Sequence, residues 1–264
     1  MCRRVSPRAL PTREVPSPGV RRAGRDLQSA DGGRGVERPS PAVQDYLKAI
    51  YRLAGEGDDS VSTTMVAEAL GVTTPSASNM LKRLEGLGYV QGGGRRGVRL
   101  TTSGRGVALE VVRLHRLLET FLAESLGMSW DEVHGEAEVL EHHVSEVLAA
   151  RIAEALGHPD RDPHGDPIPT PAGTVADEPS SSLWELPAGA GGVVRRCDDR
   201  DPALLRFLAE RGLVPDARVE VLERAPFGGP LTVRASGSSV DVPPDAARAV
   251  HVAPAPGGRA QPRV

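Results

Sequence analysis

The run VHGEAEVLEHH at residues 133–143, continuing with helical apolar spacing to about residue 156, constrains this chain most. At about 100° per residue, His134, Glu138, Glu141 and His142 share an arc of roughly a third of the helix circumference. Ala137, Leu140, Val144, Val147 and Leu148 fill the neighbouring arc, which should face a core. Carboxylates and imidazoles beside a buried face suit Mn, Fe, Co, Ni or Zn better than Ca or Mg. The same pattern also describes an ordinary solvated Glu/His face, so the rest of the chain has to decide.

A length of 264 residues allows two or three small domains. The net charge of -3 provides no global basic field, so any contact with DNA must come from a local patch. Cys2 and Cys197 are the only cysteines, which excludes a disulfide framework and a cysteine-type zinc finger and favours a reducing compartment. No stretch approaches the roughly 18 consecutive apolar residues of a membrane span, and the Arg-bearing N-terminus lacks the apolar run of a secretory signal. A soluble, cytoplasmic protein is expected.

Residues 1–38 are rich in Arg, Pro, Gly and Ser without apolar period and read as a disordered basic tail, able to add salt-sensitive phosphate contacts. The fold would begin more naturally near Val36 or Val43, so the natural start is expected near Val36. Ser40-Pro41 marks an N-cap and first turn. The helix over 42–54 carries Val43, Tyr46, Leu47, Ile50 and Leu53 at helical spacing. Asp45 lies on it, either a metal ligand contributed from afar or a first-turn acid favoured by the helix dipole.

A short helix over 65–70, the turn Gly71-Val72-Thr73-Thr74 and a second helix over 75–86 form a helix-turn-helix pattern. The second helix opens with Thr73, Thr74, Pro75, Ser76, Ser78 and Asn79, while Met80, Leu81 and Leu84 hold it to the core. Small donors and acceptors belong where a recognition helix enters the major groove, and Lys82 and Arg83 offer phosphate contacts further along. Gly88-Tyr89-Val90 then starts a strand, a turn over 92–97 carries Arg95 and Arg96, and Val98-Arg99-Leu100 returns. That is a wing with cations at its tip for the DNA backbone.

A long helix over 105–126 has Val112, Leu118, Phe121, Leu122 and Leu126 as its buried stripe, with His115 and Glu119 four apart on one face. Ser129 or Asp131 should cap the helix that follows. The Pro-rich connector over 158–171 contains His158 and His164, which read as loop residues rather than ligands. After a polar linker, strands over 182–186, 193–197, 218–222, 231–235, 239–242 and 249–252 and one helix over 202–211 suit a partly open SH3-like barrel. The fold class is α+β.

The order winged helix-turn-helix, Glu/His helical segment, SH3-like module resembles the DtxR/MntR family of metal-dependent repressors, over roughly residues 40–252. The most specific stretches are DYLKAIYRL (45–53), VRLHRLLETFL (112–122), EAEVLEHHVS (136–145) and HGDPIP (164–169). The resemblance implies a basic tail over 1–38, a winged DNA-binding domain over 39–108 and a helical dimerisation and metal-binding domain over 109–172. It implies further a linker over 173–182, an SH3-like (FeoA-like) domain over 183–252 and a second disordered tail over 253–264. Asp45, Glu138, Glu141 and His142 then match the primary metal site, and His115, Glu119 and His134 the ancillary one. Thr73, Pro75, Ser76 and Asn79 match the positions that approach bases.

Two departures from the family's pattern carry information. Iron-responsive members have Met and Cys where this chain has Asp45 and Glu138, and an oxygen and imidazole set favours Mn(II), with Fe(II) the alternative. Lys48 stands where members with a bridged two-metal site place a further carboxylate, which favours separated primary and ancillary sites. The SH3-like module of iron-type members lends two ligands, at positions that align with Arg196 and Asp199, and of these only Asp199 can serve.

The implied mechanism is a population shift. Asp45 belongs to the winged domain, and Glu138, Glu141 and His142 to the helical one, so a shared metal fixes the angle between them. Two recognition helices of a homodimer then sit about 34 Å apart, the repeat of successive major grooves. Without metal, mutual repulsion of Asp45, Glu138 and Glu141 should loosen the joint. The implied partners are double-stranded operator DNA at metal-homeostasis genes and a second copy, with no membrane and no small organic substrate. The competing readings are a winged-helix regulator of a non-metal signal and a metallohydrolase using the Glu/His cluster. The lack of HExxH and the DNA-binding domain in cis argue against an enzyme.

Overall fold

Pro41 fixes the first turn of α1 (Pro41–Ala54), and Val43, Tyr46, Leu47 and Ile50 recur at the spacing that buries one face. Ser40 occupies the N-cap position without a side-chain capping bond, so proline rather than serine sets this start. The computed structural model describes residues 38–55, 59–93, 97–176 and 179–254. The expectations for residues 1–37 and 255–264 and for the wing-tip pair Arg95 and Arg96 lie outside the described residues.

Ser62 and Thr73 accept the Met65 and Ser76 amides and start α2 (Thr63–Ala69) and α3 (Thr74–Gly86). The wing strands β1 (Val90–Gly92) and β2 (Val98–Leu100) pair antiparallel, Val90 opposite Leu100. Leu47, Ile50, Val66, Leu81 and Leu84 close this module over one core. The long helix α4 (Thr102–Leu126) starts three residues before the expected position, because the Thr101 hydroxyl accepts the Gly104 amide. Val112, Leu118 and Leu122 of its stripe are buried, but Leu126 is 62% exposed.

The expected single helix over 133–156 is two helices, α5 (Val133–Leu140) and α6 (Glu146–Ala155). Ser145 takes extended backbone and accepts the Leu148 amide, so it caps a new helix instead of continuing the old one. The break also changes the core. Ala137 and Val144 are buried, whereas Leu140, Val147 and Leu148 are exposed and Ala149, Ile152 and Ala153 pack in their place. Neither Ser129 nor Asp131 caps α5. Its N-cap is Glu132 without a side-chain bond, Ser129 Oγ donates to the Glu132 carboxylate, and Asp131 accepts from Arg206.

The C-terminal module is a six-stranded antiparallel sheet. Its strands are β3 (Ser181–Ser182), β4 (Gly191–Cys197), β5 (Arg218–Arg224), β6 (Leu231–Ala235), β7 (Ser238–Val242) and β8 (Val250–Pro254), in the order β3-β8-β4-β5-β6-β7. The expected strand over 182–186 stops after Ser182, which caps a 3-10 turn, Leu183–Glu185, while Glu185 reaches back to the Ser182 amide. β8 runs to Pro254, into the segment read as tail. Helix α7 (Pro202–Glu210) packs Leu205 and Leu208 on Val194, Val221 and Val233, and a short helix α8 (Pro244–Arg248) was not expected.

The Pro-rich connector over 158–171 is pinned between α4 and this sheet. Arg116 donates to the Pro167 carbonyl at 2.6 Å, and the Cys197 amide of β4 donates to the His164 carbonyl at 2.9 Å. Gly165 makes the close approach possible. Its φ is 90°, and a Cβ there would lie 1.9 Å from the Arg195 carbonyl oxygen. Gly165→Ala should therefore cost about 2–4 kcal/mol of stability in chemical denaturation, through backbone strain and forced displacement of β4. A midpoint unchanged from wild type would show that the connector is not held against β4 in this way.

Candidate metal centre

Glu141 keeps helical backbone as the C-cap of α5 and His142 follows it in the turn, facing α1 at their joint. One ligand atom each from Asp45, Glu141 and His142 lie within 4.8 Å of one another. His142 Nε2 is 2.9 Å from Asp45 Oδ1 and 3.6 Å from Glu141 Oε1. Its other ring nitrogen, Nδ1, lies 2.8 Å from Gln44 Oε1, and the Gln44 amide nitrogen donates to the Pro39 carbonyl at 2.7 Å. That second bond fixes the amide, so Oε1 can only accept and Nδ1 must carry a proton. Nε2 is therefore the ring nitrogen that faces the two carboxylates, in ion-pair contact with Asp45 here and the one that would coordinate a metal on losing its proton. Gln44, a buried polar residue, has no distinguishing mark in the sequence and was missed.

Glu138, expected in the same set, stands slightly apart. It accepts from Lys48 at 2.8 Å, and Lys48 also donates to Glu141 Oε1 at 2.5 Å. The expected repulsion among Asp45, Glu138 and Glu141 is met in part: burial aside, Glu141 and Glu138 push Asp45 up, while Lys48 of α1 supplies a cation between the two glutamates. Burial works against ionised Glu138, but the charges of Lys48, His115 and Arg52 hold it below its ordinary value. Burial raises Asp45, opposed by His142 and Lys48.

Behind this joint lies the second expected group. His115, Glu119, His134 and Asp199 each offer a ligand atom within 4.8 Å of the others. His134 Nδ1 is 3.0 Å from Glu119 Oε1 and 3.1 Å from Asp199 Oδ2. His115 spans the two groups, with Nδ1 2.7 Å from Glu141 Oε2 and Nε2 3.0 Å from Glu119 Oε1. Asp199 comes from the loop after β4, so the sheet module contributes directly to this group. Arg196 points elsewhere, towards His251 at 3.4 Å and the Asp166 carboxylate at 3.8 Å. Burial opposes protonation of His134, yet the hydrogen bonds and charges of Asp199 and Glu119 push it up to about 9.

A third group was not anticipated. Glu119, Asp162 and His164 are all buried and offer three ligand atoms within 4.8 Å of one another. Glu119 Oε2, Asp162 Oδ2 and His164 Nδ1 are buried without a hydrogen-bond partner, and His164 Nδ1 to Glu119 Oε2, at 3.7 Å, is too long for one. His164 Nε2 meets the Trp130 carbonyl at 2.6 Å, which places one ring proton there, and against burial Glu119 and Asp162 push the ring up to about 9, so a cation binding at Nδ1 would have to displace a proton. Unsatisfied buried polar atoms are costly, and the donor types of these three fit a cation, although the Arg116 guanidinium already stands 3.6 Å from Asp162 Oδ2. The Pro-rich context made His164 look like a loop residue, and Asp162 carried no signal. His158 is exposed and does remain a loop residue. Burial and the nearby Glu119 and Asp166 raise Asp162 well above its ordinary value, whereas His115, His134 and His164 overcome burial to hold Glu119 well below its own.

On the DNA-facing candidate surface, Thr73, Thr74, Pro75, Ser76, Asn79 and Lys82 are exposed along the first turns and outer face of α3. The Thr73 hydroxyl is engaged in the cap, within 3.0 Å of Ser76 Oγ. Ser78 is half-buried and, with Lys82, lines a groove shared with Thr63, Gly92 and Gly93 of the wing side. Elsewhere, Leu126, Val139, Leu140, Val147 and Leu148 expose apolar surface on the helical module.

Three family descriptions match the chain in sequence. Residues 40–98 match "Iron dependent repressor, N-terminal DNA binding domain". Residues 101–170 match "Iron dependent repressor, metal binding and dimerisation domain", and residues 182–254 match "FeoA domain". The iron-dependent repressor IdeR of Mycobacterium tuberculosis is 37% identical over 219 residues, covering 78% of this chain and 94% of that protein. The transcriptional regulator MntR of Salmonella typhimurium is 40% identical over 103 residues, 39% of this chain and 64% of that protein. A solved manganese-dependent transcriptional repressor in complex with manganese is 47% identical, with a TM-score of 0.76 over 80% of this chain and 98% of that one.

Proposed function

The chain belongs to the DtxR/MntR family of iron- and manganese-dependent repressors, and from that premise we propose that it is a manganese-responsive, DNA-binding transcriptional repressor. The carrying observation is the joint at which Asp45 of the DNA-binding module meets Glu141 and His142 of the helical module. Asp45, Glu141 and His142, with Glu138 beside them, hold the primary ion. His115, Glu119, His134 and Asp199, and the orphaned atoms of Asp162 and His164, serve further ions. A divalent ion supplies charge that neutralises these carboxylates and so sets the energy of the closed joint. The donors are oxygen and imidazole throughout, a set that suits Mn(II), with Fe(II) as the alternative.

The residues do the rest. Gln44 holds His142 with Nε2 towards the carboxylates, the Trp130 carbonyl anchors His164 through Nε2, and Asp131 with Arg206 ties the helical module to α7. The exposed Leu126, Val139, Leu140, Val147 and Leu148 form a face for a second copy, placing two α3 helices on successive major grooves. Thr73, Pro75, Ser76 and Asn79 approach bases, and Lys82 contacts phosphate. Among the described residues no helix is long and apolar enough to cross a membrane, and a regulator working on the chromosome belongs in the cytoplasm. The protein acts by binding and is not an enzyme.

The test is binding to promoter DNA of the metal-uptake genes in the source genome after chelation, with Mn(II), or Fe(II) without oxygen, titrated back. Restored tight binding supports the reading. Binding that ignores both ions overturns it.

A further inference from the structure

The primary joint already contains a cation that belongs to the chain. Lys48 is 5% exposed, and its ammonium donates to Glu138 Oε1 and Glu141 Oε1 across the boundary between α1 and α5. A buried ion pair of this kind is hard to break singly, because the partner left behind is an uncompensated buried charge. Glu141 is fully buried, and its second oxygen is taken by His115 Nδ1. The open cleft beside the joint is lined by Asp45, Lys48, Arg52, His134, Glu138 and His142. Glu141 does not reach that cleft, and Lys48 stands on its wall. An ion arriving from solvent meets Asp45, Glu138 and His142 first. To share Glu141 Oε1 it must approach an ammonium already bonded there, and like charges a few ångströms apart in a half-buried site repel.

Resting on the metal-responsive reading above, we infer that Lys48 is a tethered competitor for the metal. It occupies the carboxylates of the joint in the metal-free protein, keeps α1 docked on α5, and raises the free-metal concentration at which the primary site fills. Switching is then an exchange of cations at Glu138 and Glu141, in which the metal would add Asp45 and His142 to the carboxylates that the ammonium holds. The residue acts on affinity and threshold without being a ligand itself.

The test uses the full chain, stripped with chelator and titrated with Mn(II) alone by calorimetry, as wild type, Lys48→Gln and Lys48→Arg. Lys48→Gln should bind Mn(II) about tenfold more tightly or better, while Lys48→Arg, which keeps the charge, stays within about threefold of wild type. The metal-free Tm of Lys48→Gln should fall, and its Mn(II)-induced rise in Tm should exceed that of wild type. Lys48→Met, which fills the same space without charge, gives the same readings if the glutamine variant folds poorly. Unchanged or weaker Mn(II) affinity, with a smaller rise in Tm, in the uncharged variants overturns the inference. A wild type whose promoter binding ignores Mn(II) defeats the repressor reading and this inference together. Metal-dependent wild-type binding with an unaltered Lys48→Gln defeats this inference alone.

Discussion

Asp45→Ala should weaken Mn(II)-dependent operator binding by about 100-fold, roughly 2.7 kcal/mol, while leaving binding by the chelated protein unchanged. Asp45 is the carboxylate that α1 contributes to the group with Glu141 and His142. Removing it leaves the ion attached to the helical module alone, so metal no longer reports to the recognition helix. The loss should not come from unfolding. The Asp45 side chain is 38% exposed, and burial holds its pKa above the ordinary value. A carboxyl with a raised folded-state pKa favours the fold only below its unfolded pKa. Burial thus makes the folded chain hold the ionised carboxylate less readily than the unfolded chain does, so its removal should cost the metal-free fold little. Fluorescence anisotropy on labelled promoter DNA reads the first effect and thermal melting under chelator the second. Undiminished metal dependence in Asp45→Ala would mean that the joint is not the switch.

Glu119→Ala should have the opposite profile, with a large effect on the metal-free fold. Glu119 is fully buried and shared by two ligand groups, with His115 and His134 at 3.0 Å and His164 at 3.7 Å. Its removal strands imidazoles that were paired in a low-dielectric interior, where breaking one side of a buried pair costs about 3–5 kcal/mol. For a protein of this size that corresponds to a fall in Tm of roughly 6–15 °C. The variant should also retain at least one fewer tightly held Mn(II) per protomer in equilibrium dialysis. An unchanged Tm and ion count would make Glu119 a bystander.

Much of this was legible because local signals agreed. The apolar spacing of α1, the Gly-containing turn before α3 and the strand pattern after residue 190 each had one physical solution, and the structure adopts it. What was hidden depended on contacts between distant segments. The Ser145 cap is a local signal that helical periodicity overrode, and it splits the expected helix in two. His164 sits in a run of prolines, and its role depends on Trp130 and Glu119, 34 and 45 positions away in a fold that no spacing encodes. Lys48 was visible as a departure from the family pattern, but only the structure shows its ammonium between two carboxylates. The apolar residues assigned to the core at 140, 147 and 148 are exposed because periodicity reports a buried face without saying whether the same chain or a second copy covers it.

The central claim is that metal and operator stabilise the same closed arrangement. Linkage then requires that each tighten the other by the same factor. The most direct measurement is the Mn(II) affinity of the wild-type chain with and without saturating promoter DNA, beside the promoter affinity with and without saturating Mn(II). The account predicts that DNA tightens Mn(II) binding, with equal factors in the two experiments. Mn(II) affinity that is identical with and without DNA would contradict it.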